Sequence, residues 1–210
     1  MKLPMSGIGD PDQRAPRPDL DAWADALRTA EHGRAYRRSG RGLWETAQWP
    51  VAAAVVVALA LLTYTRNGWI PLLSGADLGV HEFGHLVFAW APTIWVQFAG
   101  SFMQVALPLV VAAYFWRRRD TFAAIVTLAW AAESLNNVSV YIYDATRMVL
   151  PLFNDDGSGA GHDWHNILSE LGLLGATDRL AYLVRALSAA VFVAALAIAV
   201  RGFVRARRAA

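Results

Sequence analysis

The sequence predicts an all-α, polytopic integral membrane protein with four transmembrane helices plus a short membrane-embedded helix, five full crossings being the alternative. Three observations carry this. First, 56% of the 210 residues are hydrophobic and only 17% are charged, with mean hydropathy +0.31, more apolar matter than one small soluble core needs. Second, the apolar residues gather in runs about one bilayer long with tryptophans at their ends. Third, Lys and Arg lie in blocks beside those runs, as topology determinants do. The sequence isoelectric point of about 9.2 accompanies a net charge of only +2, so nucleic-acid binding is not expected. Cysteine is absent, which removes disulfides, thiolate ligands and a Cys nucleophile. Five histidines and seventeen acidic residues remain to supply metal or acid-base chemistry.

The elements follow in order. Residues 1–18 hold Pro4, Pro11, Pro16 and Pro18 among polar residues, a composition with too little apolar matter to offset the entropy of ordering, and predict a disordered tail. Residues 19–48 form a surface or amphipathic segment: Asp19 or Asp21 can cap a helix on which Leu20, Trp23 and Leu27 recur at helical spacing. The membrane domain occupies 49–210. Its first run, Pro50 to Tyr64 between Trp49 and Trp69, has the position and flanks of an anchor and not of a cleaved leader. Ala76 to Ala91 is a short apolar segment stopped by Pro92. Val96 to Phe115 lies between Trp95 and Trp116, Thr121 to Tyr143 is interrupted by polar residues, and Leu180 to Val200 ends among Arg201, Arg205, Arg207 and Arg208.

Of nineteen Lys and Arg, eight precede the first run, three (Arg117, Arg118, Arg119) follow the Val96 run and four follow the last. Four crossings put all three groups on the cytoplasmic side, together with both termini, if Ala76 to Ala91 enters the membrane without crossing it. Five crossings would separate them.

That short segment holds His81, Glu82 and His85 in the pattern HExxH. Residues i and i+4 share a helix face, so both imidazoles reach one Zn²⁺, while Glu82 is turned toward the water it would deprotonate. Chance would produce the pattern in only a few of a thousand shuffled chains of this composition, by order of magnitude. Two histidines and a glutamate in an apolar helix are also costly unless paired, metallated or facing a wet cavity. A hydrolytic zinc takes a third protein ligand. His162 is the expected one, because His162 and His165 form a second ligand-spaced pair opening a helical run, with Asp163 and His165 left to orient the site. The third apolar run offers Asp144 as a competing ligand or orienter, and Glu133, Asn137 and Asp144 lie near one helix face, flanked by Asn136 and Tyr141. Gln104, four residues before Pro108, is a further buried amide. For Gln104, Asn136 and Asn137, hydrogen bonding between helices explains the residue as well as catalysis does.

The HExxH helix resembles the zinc helix of site-2-type intramembrane metalloproteases, over residues 74 to 119. That family takes its third ligand from a later Asp in an Asn-Pro and Asp-Gly context, which this chain approximates only in Pro151 to Gly157, with Asp156. Over residues 74 to 180 the chain is also similar to small bacterial membrane proteins of unassigned activity that combine HExxH, a Gln-x-x-x-Pro helix (Gln104 to Pro108), an Asp-Ala helix end (Asp144, Ala145) and a His-Asp-Trp-His segment (His162 to His165). The resemblance implies a metallopeptidase-like protein of the bacterial cytoplasmic membrane.

The expected function is therefore a zinc-dependent membrane hydrolase, a metallopeptidase acting on a membrane protein or peptide in contact with lipid, with Glu82 as general base. A lipid amide or ester hydrolase would use the same zinc site, and a non-enzymatic metal carrier or sensor is the reading from another class.

Overall fold

A computed structural model describes residues 20–65, 69–151 and 161–209. The expected tail at 1–18 lies outside them. Every regular element among the described residues is helical: α1 Leu20–Thr65, α2 Leu73–Val87, α3 Thr93–Arg117, α4 Thr121–Asp144, α5 Asp163–Glu170, a 3-10 turn Leu174–Ala176 and α6 Thr177–Ala209. The expected surface segment and the first apolar run form one continuous helix, α1, with Pro50 inside it. The chain divides at Trp44 into two compact units, and everything below concerns the second, residues 45–210.

Local chemistry sets the helix ends. Leu72 takes φ 69° before α2, and Pro92, which cannot donate to a preceding turn, separates α2 from α3. Arg119 in the left-handed region turns the chain, and Asp120 caps α4 by accepting from the Ala123 N–H at 3.0 Å. At the far end of α4, Asp144 accepts from the backbone N–H groups of Val149 and Leu150 at 3.0 and 3.1 Å. That carboxylate fixes the direction in which the chain leaves the helix. Gly172, at φ 68°, follows α5.

Three helical segments, Trp44–Thr65, Thr93–Arg117 and Leu174–Arg208, are long and apolar enough to cross a membrane, which points to membrane association. The sequence reading has a fourth in Thr121 to Tyr143. α4 has the length, but Glu133, Ser134, Asn136, Asn137 and Ser139 lower its apolarity, and it carries thirteen buried residues against six in α3 and four in α2. Of these groups Ser134 and Asn137 meet Asp77 of α2, as suits a helix sheltered by its neighbours. The Ala76 to Ala91 segment appears as the fifteen-residue α2, about 22 Å long and short of the roughly 30 Å hydrocarbon core.

The α1–α4–α6 core gathers Ala52, Val56, Ile125, Ala129, Ala132, Phe192, Ala195 and Ala199. Small residues let backbones approach where lipid provides no hydrophobic drive between helices. A second cluster, with Val138, Ile142, Trp164, Ile167 and Leu168, seats α5 on the end of α4. Between α2 and α3 the contact is tighter still. A methyl at Gly84 would run into the Ala99 carbonyl, so the absence of side-chain bulk there serves close packing.

Candidate metal centre

α2 presents Asp77, His81 and His85 at intervals of four on the side facing the rest of the bundle. Asp77 and His81 are buried and His85 partly so. The ligand atoms of His81, Glu82 and His85 all lie within 4.8 Å of one another, so this group could hold a metal ion. The two rings meet edge to face with centroids 4.9 Å apart.

Each imidazole is fixed through the nitrogen that faces away from the centre. His85 Nδ1 lies 2.8 Å from the Val96 carbonyl, and His81 Nδ1 lies 3.3 Å from Gln104 Oε1. A carbonyl oxygen only accepts, so Nδ1 carries the proton and the neutral ring keeps a lone pair on Nε2. Both Nε2 atoms converge over the Cα of Gly100. A methyl built there would sit 2.5 Å from His81 Nε2 and 2.7 Å from His85 Nε2. The missing side chain of Gly100 is thus the space into which the two lone pairs point.

The third group at this point is Asp163, on the first turn of α5. Its Oδ2 lies 3.0 Å from His81 Nε2 and 3.4 Å from His85 Nε2. Ligand atoms 2.0 to 2.2 Å from a tetrahedral ion are about 3.3 Å apart, so the spacing of these three atoms suits a shared cation. Without an ion, a proton on Nε2 would join an imidazole to the carboxylate instead. Burial works against the charge on Asp163, yet hydrogen bonding to His81 and His85 holds its pKa below the ordinary carboxylate range.

The end of α4 grips α5 and thereby places Asp163. The Tyr141 hydroxyl accepts from the Asp163 backbone N–H at 3.0 Å and donates to Asp163 Oδ2 at 3.3 Å. His162 does not meet the α2 pair. It is fully buried, stacks on Tyr141 with centroids 4.4 Å apart, accepts the His165 N–H on Nδ1 as the cap of α5, and turns Nε2 to Asp144 Oδ2 at 3.3 Å. Burial pushes its basicity below the ordinary value, in keeping with a neutral ring whose Nδ1 accepts and whose Nε2–H faces Asp144. His165 Nδ1 lies 2.7 Å from the Ala145 carbonyl. The expected His162–His165 pair therefore fastens the loop, and the residue between the two reaches the site. Asp144 faces His162 and the backbone, while Asp156 lies outside the described residues.

Trp130, Ser134 and Asn137 of α4 turn to Asp77. Its Oδ1 accepts from Trp130 Nε1 at 2.7 Å and its Oδ2 from Asn137 Nδ2 at 3.2 Å, and the same amide donates to Glu133 Oε1 at 2.7 Å. Asn137 thus joins α2 to α4 beneath the histidines. Sequence reasoning missed Asp77, Gly100 and the placing of Asp163. Asp77 had a signal, since it extends the HExxH face by one turn. Gly100 had none, because a helix-helix contact selects it.

A cavity of about 440 Å³ opens onto the centre, lined among others by Glu82, Gln97, Gln104, Asn137, Tyr141 and Asp163. That is the size of a small-molecule or side-chain site. The Gln97 side-chain oxygen is buried there without a hydrogen-bond partner among the described residues. No family model, no curated protein and no solved structure matches the chain.

Proposed function

We propose that the protein is a zinc-dependent membrane hydrolase, a metallopeptidase that cleaves a peptide bond at or in the membrane, with His81, His85 and Asp163 as metal ligands and Glu82 as general base. The observation that carries this reading is the meeting of His81 Nε2, His85 Nε2 and Asp163 Oδ2 at the wall of a 440 Å³ cavity that Glu82 also lines. Three nitrogen and oxygen ligands with the Nδ1 atoms tied back match what a catalytic zinc requires: a held ion with one position open. When bound, zinc supplies a Lewis acid that polarises a carbonyl and makes water acidic near neutral pH. Glu82 is about 100° around the helix from His81, so its carboxylate can take a proton from water and return it to the leaving amine. Gln104 and the Val96 carbonyl hold the rings in the tautomer that binds, and Tyr141 holds Asp163.

A lipid amide or ester hydrolase would use the same atoms. One observation favours a non-catalytic carrier or sensor: Glu82 lies near enough to both histidines to close the set at four ligands, and a closed site is structural. Glu82→Gln separates the readings. For the hydrolase, zinc stays while membrane-protein fragments that accumulate in cells expressing the wild type disappear. If the substitution removes the metal, Glu82 is a ligand and the hydrolase reading falls.

A further inference from the structure

The wall of the metal cavity is polar on both sides of the point where the two histidines converge. α2 and α3 run antiparallel there, since His85 is tied to the Val96 carbonyl, Gly84 packs on Ala99 and His81 is tied to Gln104. Gln97, Gly100 and Gln104 follow one another at intervals of three and four, on one face of α3. Gly100 leaves the room into which both Nε2 atoms point, and Gln97 and Gln104 line the cavity. A glutamine therefore stands on either side of Gly100, Gln97 toward the His85 end and Gln104 toward the His81 end, about 10.5 Å apart along the helix axis.

Both glutamines offer N–H groups. Gln104 Oε1 faces His81 Nδ1 at 3.3 Å, which leaves its amino end for the cavity. Gln97 is half-buried, and its oxygen is enclosed without a partner among the described residues, so its amino end is what it presents to the cavity. That amide fastens no helix to another, and packing gives no reason for it. The charge of the wall narrows the occupant further. Asp77, Glu82 and Asp163 line the cavity, and no Lys or Arg is among its lining residues. An acyl phospholipid would carry its phosphate to within a few bonds of the scissile carbonyl, beside carboxylates and with no cationic side chain to receive it.

We propose that the substrate of this centre is a peptide held extended along α3, with the N–H groups of Gln97 and Gln104 donating to backbone carbonyls on opposite sides of the scissile bond. The inference rests on the hydrolase reading and names its substrate class. The separation of the two glutamines equals the rise of about three extended residues. A lipid amide or ester has one carbonyl and, beyond it, an acyl chain that accepts nothing, so one of the two glutamines would face hydrocarbon.

The probe is a phosphinic peptide, in which a phosphinate and a methylene replace the scissile amide while the backbone continues on both sides. It is compared with two relatives that carry an alkene in place of the nearest peptide group on one side or the other, and with a dialkyl phosphinate of equal length whose arms resemble acyl chains. Binding to the full-length protein in detergent is measured by calorimetry before and after chelation, with metal counted by elemental analysis. The phosphinic peptide should bind about five- to tenfold more tightly than either alkene compound, as expected for one hydrogen bond, and the dialkyl phosphinate most weakly. Gln97→Leu, at a position with no hydrogen bond to lose, should keep its metal and weaken the phosphinic peptide by a similar factor. It should leave one alkene compound unchanged, the one that lacks the carbonyl Gln97 serves. The ranking on the wild type decides by itself should Gln97→Leu fail to fold. Chelation should weaken every compound and preserve their order. A wild type without zinc in which that order holds removes the hydrolase reading and keeps the peptide site, whereas zinc without the order removes the peptide and leaves the hydrolase. Alkene compounds or a dialkyl phosphinate held as tightly as the phosphinic peptide, or a Gln97→Leu protein that weakens all compounds alike, would overturn the proposal.

Discussion

Asp163 Oδ2 lies 3.0 Å from His81 Nε2, although 82 residues separate them in sequence. That contact joins α5 to α2 and adds a carboxylate to the His81, Glu82 and His85 group that α2 carries by itself.

The first prediction concerns the metal. Protein purified without chelator should carry close to one zinc per chain, and His81→Ala should carry none. Asp163→Asn keeps the shape and its contact with Tyr141 but loses the anionic ligand, and should lower affinity by roughly a hundredfold or more, at or beyond the upper end of what changing a supporting group does. His162→Gln should retain zinc with reduced stability. Elemental analysis checks all three, and a His162→Gln protein that is folded but metal-free would return the third ligand to His162.

Two glycines provide a matched pair. A methyl at Gly100 would sit within 2.7 Å of both ligand nitrogens, whereas one at Gly79 on α2 meets nothing within 4 Å. Gly100→Ala should abolish metal binding or force α2 from α3. Gly79→Ala should be neutral or stabilising by about 0.5 to 1 kcal/mol, the ordinary helix preference for Ala. Thermal unfolding with and without zinc distinguishes them.

Glu82→Gln removes a proton acceptor while keeping size and polarity. Turnover should fall by roughly 10² to 10⁴, typical of a positioned base, with metal content unchanged. Identical fragment patterns from wild type and variant in cells, with zinc bound to both, would remove the support for a peptidase.

Asp144 is buried and serves three partners, the Val149 and Leu150 amides and His162. Asp144→Ala strips all of them and should destabilise by about 1 to 3 kcal/mol, as for leaving buried donors unpaired. Because the lost contacts fix α5, zinc affinity should drop as well, though Asp144 is not among the proposed ligands. An Asp144→Ala protein with wild-type stability and zinc affinity would show that α5 is held by other means.

The Lys and Arg pattern makes a last prediction, that tags at residue 2 and residue 210 are accessible from the same side of the membrane. Opposite labelling would mean an odd number of crossings.

What the sequence determined by itself was whatever rests on local periodicity and composition. All-helical character, three of the four expected long apolar helices, the short α2 and the presence of His81, Glu82 and His85 on one helix follow from spacing along the chain. The tertiary structure decided what depends on which helix turns toward which. The His162, Asp163 and His165 run reads as a histidine pair flanking an acid, yet the cap geometry of α5 turns both imidazoles to the backbone and to Asp144 and sends the carboxylate to α2. The polar stripe of α4 likewise announces a partner without naming it. Only packing supplies Asp77 to Glu133 and Asn137, because side chains far apart in sequence meet according to helix rotation, and a rotation of one residue, about 100°, exchanges a ligand for its neighbour.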